Sequence, residues 1–132
     1  MSTISYFTLL SFFVYIIILL FRYLFKQKEI DHNIFFVSLS IYLLMGIIGG
    51  LLFTAMNSVL VDAFHQNHDG MLNITDFMYF SFVTMTTLGY GDISPAIPKT
   101  MMASILLAVL GQVYLTVIVA ILVGKYISKP RK

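Results

Sequence analysis

The chain has 132 residues, of which 59% are hydrophobic and 11% charged, with a formal net charge of +2 and a mean hydropathy of +0.92. Soluble domains carry about a quarter charged residues, and a water-soluble core needs polar helix faces that are not visible here, so the sequence is that of an integral membrane protein. The lack of cysteine excludes disulfides, thiolate chemistry and cysteine-based metal centres, and so small and localised a charge argues against nucleic acid as a partner.

The first apolar run, from about residue 4 to residue 25, carries no charge before Arg22. It reaches the roughly 20 apolar residues that a helix needs to cross the hydrocarbon core. No basic residue precedes it and no small-residue cleavage site follows it before Arg22, so it reads as a retained span and not a leader. A helix lying in the interface would need a strongly polar face, which the run lacks. Arg22, Lys26 and Lys28 close it, giving an N-terminal transmembrane helix over residues 1–28 with a basic end. It has no repeated arginines of the kind a voltage sensor needs.

A short polar linker with Glu29, Asp31 and His32 leads to the second span, residues 33–57. Gly46, Gly49 and Gly50 share one face of this span, and close packing against the last span is their expected role. Residues 58–73 leave the membrane through Asp62, His65, Gln66, Asn67, His68, Asp69 and Gly70, with the histidines expected to be solvated. Asn73, Thr75 and Asp76 are residues that cap a helix N-terminus and complement its dipole. They predict a short helix over residues 74–86. Its apolar part, Phe77 to Met85, is too short to cross the membrane. A segment that enters and stops is tolerated only where protein or a water-filled cavity surrounds it. The C-terminal end of such a helix carries about half a negative charge, which favours a cation at mid-membrane.

A glycine-containing turn and a loop with Pro95, Pro98 and Lys99 precede the last span, residues 99–126, which ends among Lys125, Lys129, Arg131 and Lys132. Lys and Arg collect on cytoplasmic flanks. Both basic clusters are therefore expected inside, which makes the C-terminus cytoplasmic and the N-terminus extracellular. The loop between the second and third spans, with one Lys and no Arg from Asp62 to Lys99, then faces outside.

Between the short helix and the last span runs Thr84-Met85-Thr86-Thr87-Leu88-Gly89-Tyr90-Gly91-Asp92. Glycine adopts positive φ without steric cost, and Gly89 and Gly91 offer it at every second position. A backbone that alternates in handedness aims successive carbonyls at one line.

This run resembles the selectivity filter of potassium channels, with Leu88 where Val or Ile is commoner. The resemblance implies an all-α membrane protein in which residues 33–128 form a pore domain, with the additional N-terminal helix before it. Its parts are an outer helix (33–57), a turret (58–73), a re-entrant pore helix (74–86), a filter (87–91) and an inner helix (99–126). It further implies assembly as a homotetramer in the plasma membrane, passive conduction of K⁺, and no enzymatic activity. Identical subunits, K⁺ and membrane lipid are the partners, and no cofactor is expected beyond the permeant ion. By the same resemblance the carbonyls of Thr87, Leu88, Gly89 and Tyr90 and the Thr87 hydroxyl bind K⁺, and Gly91 completes the filter. Tyr90 favours selectivity for K⁺, its side chain turned from the axis toward the pore helix.

Support is expected from Thr84 and Thr86 in the lead-in and from Tyr79 hydrogen-bonded to Asp92, with plain packing an equal alternative for Tyr79. Val83 stands where some bacterial members carry a buried Glu. Gly111 lies where many members place a hinge, and a plain packing role is an equal alternative. Gln112 is expected to face the cavity or a neighbouring helix, and Leu115, Val119 and Ala120 to narrow the path. Gating is expected to be absent, at the filter, or under control of lipid, pH or a partner. Two competing readings are a pore-loop subunit of a K⁺ uptake transporter and a non-conducting regulatory subunit. The single pore loop speaks against the first, and the intact TLGYG against the second.

Overall fold

A computed structural model of the chain describes residues 3–26, 32–67 and 70–127. Lys28, Glu29, Asp31, His68, Asp69, Lys129, Arg131 and Lys132, to which the sequence assigns basic ends and polar linkers, lie outside the described residues, as do the side chains of His32 and Lys125. The elements in chain order are α1 (Thr3–Lys26), α2 (His32–Val59), β1 (Phe64–Gln66), α3 (Ile74–Met85), β2 (Ile93–Pro95) and α4 (Pro98–Ile127).

Helices α1, α2 and α4 have 24, 28 and 30 residues and are long and apolar enough to cross a membrane. At 1.5 Å per residue they span roughly 36–45 Å, more than the hydrocarbon thickness of about 30 Å. In lipid a polar group has no water to turn to, and serine and threonine hydroxyls inside these helices bond back to their own turns. Ser38 donates to Ile34 O, Thr54 to Gly50 O, Ser104 to Thr100 O and Thr116 to Gln112 O, each at 2.7–2.8 Å.

With 12 residues, α3 is about 18 Å long and cannot span. It starts on a reciprocal capping box: the Asn73 side chain accepts from Thr75 N at 2.7 Å, and Asp76 Oδ2 accepts from Asn73 N at 2.8 Å. It ends at Met85 with Thr86 as C-cap, because the chain turns into left-handed backbone at Thr87.

The glycine face of α2 receives α3, which corrects the expectation that it packs against the last span. A Cβ at Gly46 would clash with the Phe82 ring, and one at Gly50 would lie 3.0 Å from the Met78 backbone. Only at Gly49 does α4 take part, where Leu107 would be 2.7 Å away. The buried Ser81 hydroxyl fastens the contact by donating to Gly46 O at 2.7 Å.

Two apolar clusters hold the ends of the fold together. One combines Phe53, Phe64, Phe77 and Phe80 with Ala63 and Ile93. Its rings meet edge-on or tilted, with centroids 5.0–5.6 Å apart. The other joins α1, α2 and α4 through Leu24, Ile34, Ile41, Tyr114 and Ile118.

The two short strands were not expected. They pair antiparallel with Phe64 opposite Pro95, His65 opposite Ser94 and Gln66 opposite Ile93. The Ala63 carbonyl extends the pairing by accepting from Ala96 N at 3.0 Å and from the Thr100 hydroxyl at 2.9 Å. The α2–α3 connection is thereby tied down onto the α3–α4 connection, beside the glycine-punctuated run.

Candidate functional site

The run from Thr86 to Asp92 emerges from the C-terminus of α3, where a helix leaves carbonyls without intrahelical partners. Those carbonyls accept from the run itself. Thr87 N donates to Thr84 O at 3.1 Å, while Leu88 N and Gly89 N both donate to Val83 O, at 3.0 and 3.3 Å. The chain contains no cis peptide among the described residues. In a planar trans peptide the C=O points opposite to the N–H. With the amides of residues 87, 88 and 89 aimed back at α3, the carbonyls of Thr86, Thr87 and Leu88 project away from it.

The dihedral angles alternate accordingly: φ is +63° at Thr87, +57° at Gly89 and +79° at Gly91. A Cβ at Gly89 or Gly91 would meet nothing within 4 Å. The requirement for glycine there is conformational and not one of space. Thr87 adopts the left-handed region despite its β-branch, at a cost of roughly 1–2 kcal/mol, offset by the amide bonds on either side of it.

Tyr90 lies against α3, its ring stacked on that of Tyr79 with centroids 6.5 Å apart and planes 5° from parallel. The Tyr79 hydroxyl donates to the Asp92 carboxylate, and this bond chiefly, with some desolvation and the neighbouring negative charge, raises the phenol pKa above its ordinary 10.0. Asp92 is held from the opposite side as well, since its backbone carbonyl accepts from Asn67 N at 3.0 Å. The Gly91 carbonyl is turned to the same residue and accepts from Asn67 Nδ2 at 3.5 Å. In the single chain the side chains of Leu88 and Tyr90 are exposed.

The lead-in residues are internally satisfied. The Thr86 hydroxyl donates to Phe82 O at 2.6 Å, Thr84 supplies the carbonyl that receives Thr87 N, and Val83 is buried with its carbonyl shared between two amides. The last carbonyl of α3, that of the fully buried Met85, nestles against α4. Gln112 Nε2 reaches it at 3.4 Å, and a Cβ on Gly111 would stand 2.7 Å from it. Gln112 thus bonds α3 of its own chain. Leu115, Val119 and Ala120 line an open depression on α4 together with Thr116 and Val123, on a side of the helix that is not packed against the rest of the chain.

Sequence reasoning overlooked two polar fixings. Asn67 is, in the sequence, one of several polar residues of the α2–α3 connection, with nothing to mark its bonds to Gly91 and Asp92. Tyr114, in the middle of an apolar span, donates from its hydroxyl to Ser38 O at 2.7 Å. It also stacks on Tyr42 at 6.1 Å and meets Phe21 edge-on at 5.9 Å, bringing α1, α2 and α4 to one point. A buried tyrosine hydroxyl usually finds a partner, so a lone Tyr at mid-span was a signal in the sequence.

Compared with families of known proteins, residues 37–128 match the one described as an ion channel. The matched region takes in most of α2 and everything after it to the end of α4, and leaves α1 outside. Compared with curated proteins and with solved structures, the chain gives no significant match.

Proposed function

The chain belongs to the ion channel family, and from that premise we propose that it is one subunit of a potassium-selective channel, with residues 87–91 as its filter. The observation that carries this reading is the alternation of handedness at Thr87, Gly89 and Gly91, combined with amides turned toward α3. A strand of that shape offers a row of peptide oxygens on one side. The carbonyls of Thr87, Leu88, Gly89 and Tyr90, with the Thr87 hydroxyl, are the proposed ligands of a dehydrated K⁺.

One strand cannot surround an ion, so four copies stand around a fourfold axis. The exposure of Leu88 and Tyr90 in the single chain leaves those side chains for contact with neighbouring subunits. The C-terminal end of α3 contributes negative potential toward the ion path. Gln112, beside Met85 O, faces the same region. Tyr79, Val83, Thr84, Thr86 and Asp92 hold the filter from behind. Leu115, Val119 and Ala120, on the open side of α4, line the route below it. The basic residues at the end of α1 and after α4 orient the chain with its C-terminus in the cytoplasm and its N-terminus outside the cell membrane. Conduction of this kind is passive and needs no catalytic group.

Purified protein in a planar bilayer with asymmetric KCl and NaCl tests the proposal. Currents that reverse near the K⁺ equilibrium potential and are blocked by barium are expected. Reversal midway between the K⁺ and Na⁺ potentials rejects selectivity. Silence from well-folded tetramers favours an accessory subunit instead.

A further inference from the structure

We propose that Asn67 is a positioning residue that fixes the exit of the filter, so that strand β1 as well as α3 determines how long the filter stays conducting; this rests on reading residues 87–91 as a K⁺ filter. The two carbonyls that end the run, those of Gly91 and Asp92, both accept from Asn67, one from its side chain and one from its backbone. The strand register explains why. Gln66 stands opposite Ile93, so the next residue out on each strand brings Asn67 opposite Asp92.

Gly91 needs such a partner. It sits at φ +79°, and among the described residues of its own chain nothing beyond its two neighbours lies within 4 Å of the position a side chain would take, so no packing within the chain backs that position. If the Gly91 carbonyl loses its donor, the peptide planes on either side can rotate about Gly91. The plane on the N-terminal side carries the Tyr90 carbonyl, the outermost of the proposed ligands. Asn67, by contrast, stands on a fixed base. Its strand is buried through Phe64 in the aromatic cluster and tied through Ala63 O to Ala96 N and the Thr100 hydroxyl. Asp92 is then gripped between two elements, by Tyr79 of α3 at its side chain and by Asn67 at its backbone.

The bond from Asn67 Nδ2 to Gly91 O is long at 3.5 Å, so its loss shifts a two-state equilibrium by up to about fivefold, and here it would be lost in every subunit of the tetramer. An ion bound only in the conducting filter opposes that shift by mass action. Asn67→Asp keeps the size of the side chain and removes its donor, and Asn67→Ala removes both. The full chain is reconstituted and its current followed at steady driving force with K⁺ on the loop side held low and then raised. Both variants are expected to lose current about fivefold faster than wild type at low K⁺ and to approach wild-type persistence at high K⁺, with the thermal midpoint of the tetramer unchanged.

His65→Ala, two residues earlier on the same strand and exposed, serves as the control and is expected to behave as wild type. If the isosteric Asn67→Asp persists as long as wild type at low K⁺, the inference is overturned. It is equally overturned if His65→Ala decays as fast as the Asn67 variants, because the strand in general and not Asn67 would then be responsible. Should Asn67→Ala fail to assemble, Asn67→Asp carries the test by itself. Wild-type currents without K⁺ selectivity would instead refute the filter reading, so the two failures are distinguishable.

Discussion

Substituting alanine for Gly111 separates hinge from packing, and the contact with Met85 sets the size of the effect. The added Cβ would stand 2.5 Å from Met85 Cγ and 2.7 Å from Met85 O. The thioether side chain can move aside, but the carbonyl is backbone at the end of α3 and also receives Gln112. Either α4 or the end of α3 must therefore retreat. Overpacking of this kind costs about 1–3 kcal/mol. The gain in helix propensity from Gly to Ala returns about 1 kcal/mol, leaving roughly 0–2 kcal/mol of net destabilisation per subunit. Because Val83 O and Thr84 O, two and one residues before Met85, hold the amides of residues 87–89, the displacement reaches that segment. Thermal unfolding of the purified protein and, on the proposed channel function, the K⁺/Na⁺ permeability ratio are the readouts. Packing predicts that both fall, and that adding Met85→Ala restores only part of the loss, since it relieves the Cγ contact but not the one with oxygen. A Gly111→Ala protein that is more stable than wild type, equally selective, and altered only in how often it opens would refute this reasoning and establish the hinge.

Three further outcomes are expected. Gly89→Ala meets nothing within 4 Å among the described residues of its own chain, so its cost within the chain is the roughly 1–2 kcal/mol of a side chain at positive φ; selective current should vanish from a protein that still assembles, and an unchanged permeability ratio would count heavily against residues 87–91 as the filter. Tyr79→Phe keeps the ring stack and removes the bond to Asp92. Because the folded protein raises this phenol's pKa above 10.0, the stabilisation is fully present below pH 10 and fades as the pH climbs through the raised value. The thermal midpoint of wild type should thus exceed that of Tyr79→Phe at neutral pH and converge on it only in strong alkali; equal midpoints at pH 7 would dismiss the brace. Tyr114→Phe gives up the bond to Ser38 O, worth about 0.6–1 kcal/mol within a membrane, whereas Tyr114→Ala also empties the contact of three helices and should cost several times more in a denaturation series.

The spans were legible because the membrane imposes few solutions: apolar stretches free of charge become helices, and a stretch too short to cross must turn back. The capping residues Asn73 and Asp76 marked the start of α3 for a local reason, and local signals survive in sequence. The left-handed conformation was readable at Gly89 and Gly91 but not at Thr87, where no residue preference announces it. There the carbonyls of Val83 and Thr84 dictate the backbone from a turn away. The glycines of α2 announced a close approach without saying of what, since the half-helix that fills the groove arrives there only by folding back. Strands of three residues are too short to display an alternating pattern, so β1 and β2, and with them the placement of Asn67, depend on a pairing that no window of sequence contains.

The attachments of α4 are unevenly distributed along its length. Gly111 and Gln112 abut the end of α3, Tyr114 is bonded to α2, and Ile118 is the last buried residue of the helix among those whose side chains are described. Beyond it Val119, Ala120 and Val123 stand exposed. Mechanically the helix is a beam clamped over its upper half and cantilevered below. A lateral load on the lower half would therefore bend the helix just past Ile118 and spare the geometry at Met85 and, through it, that of residues 87–91.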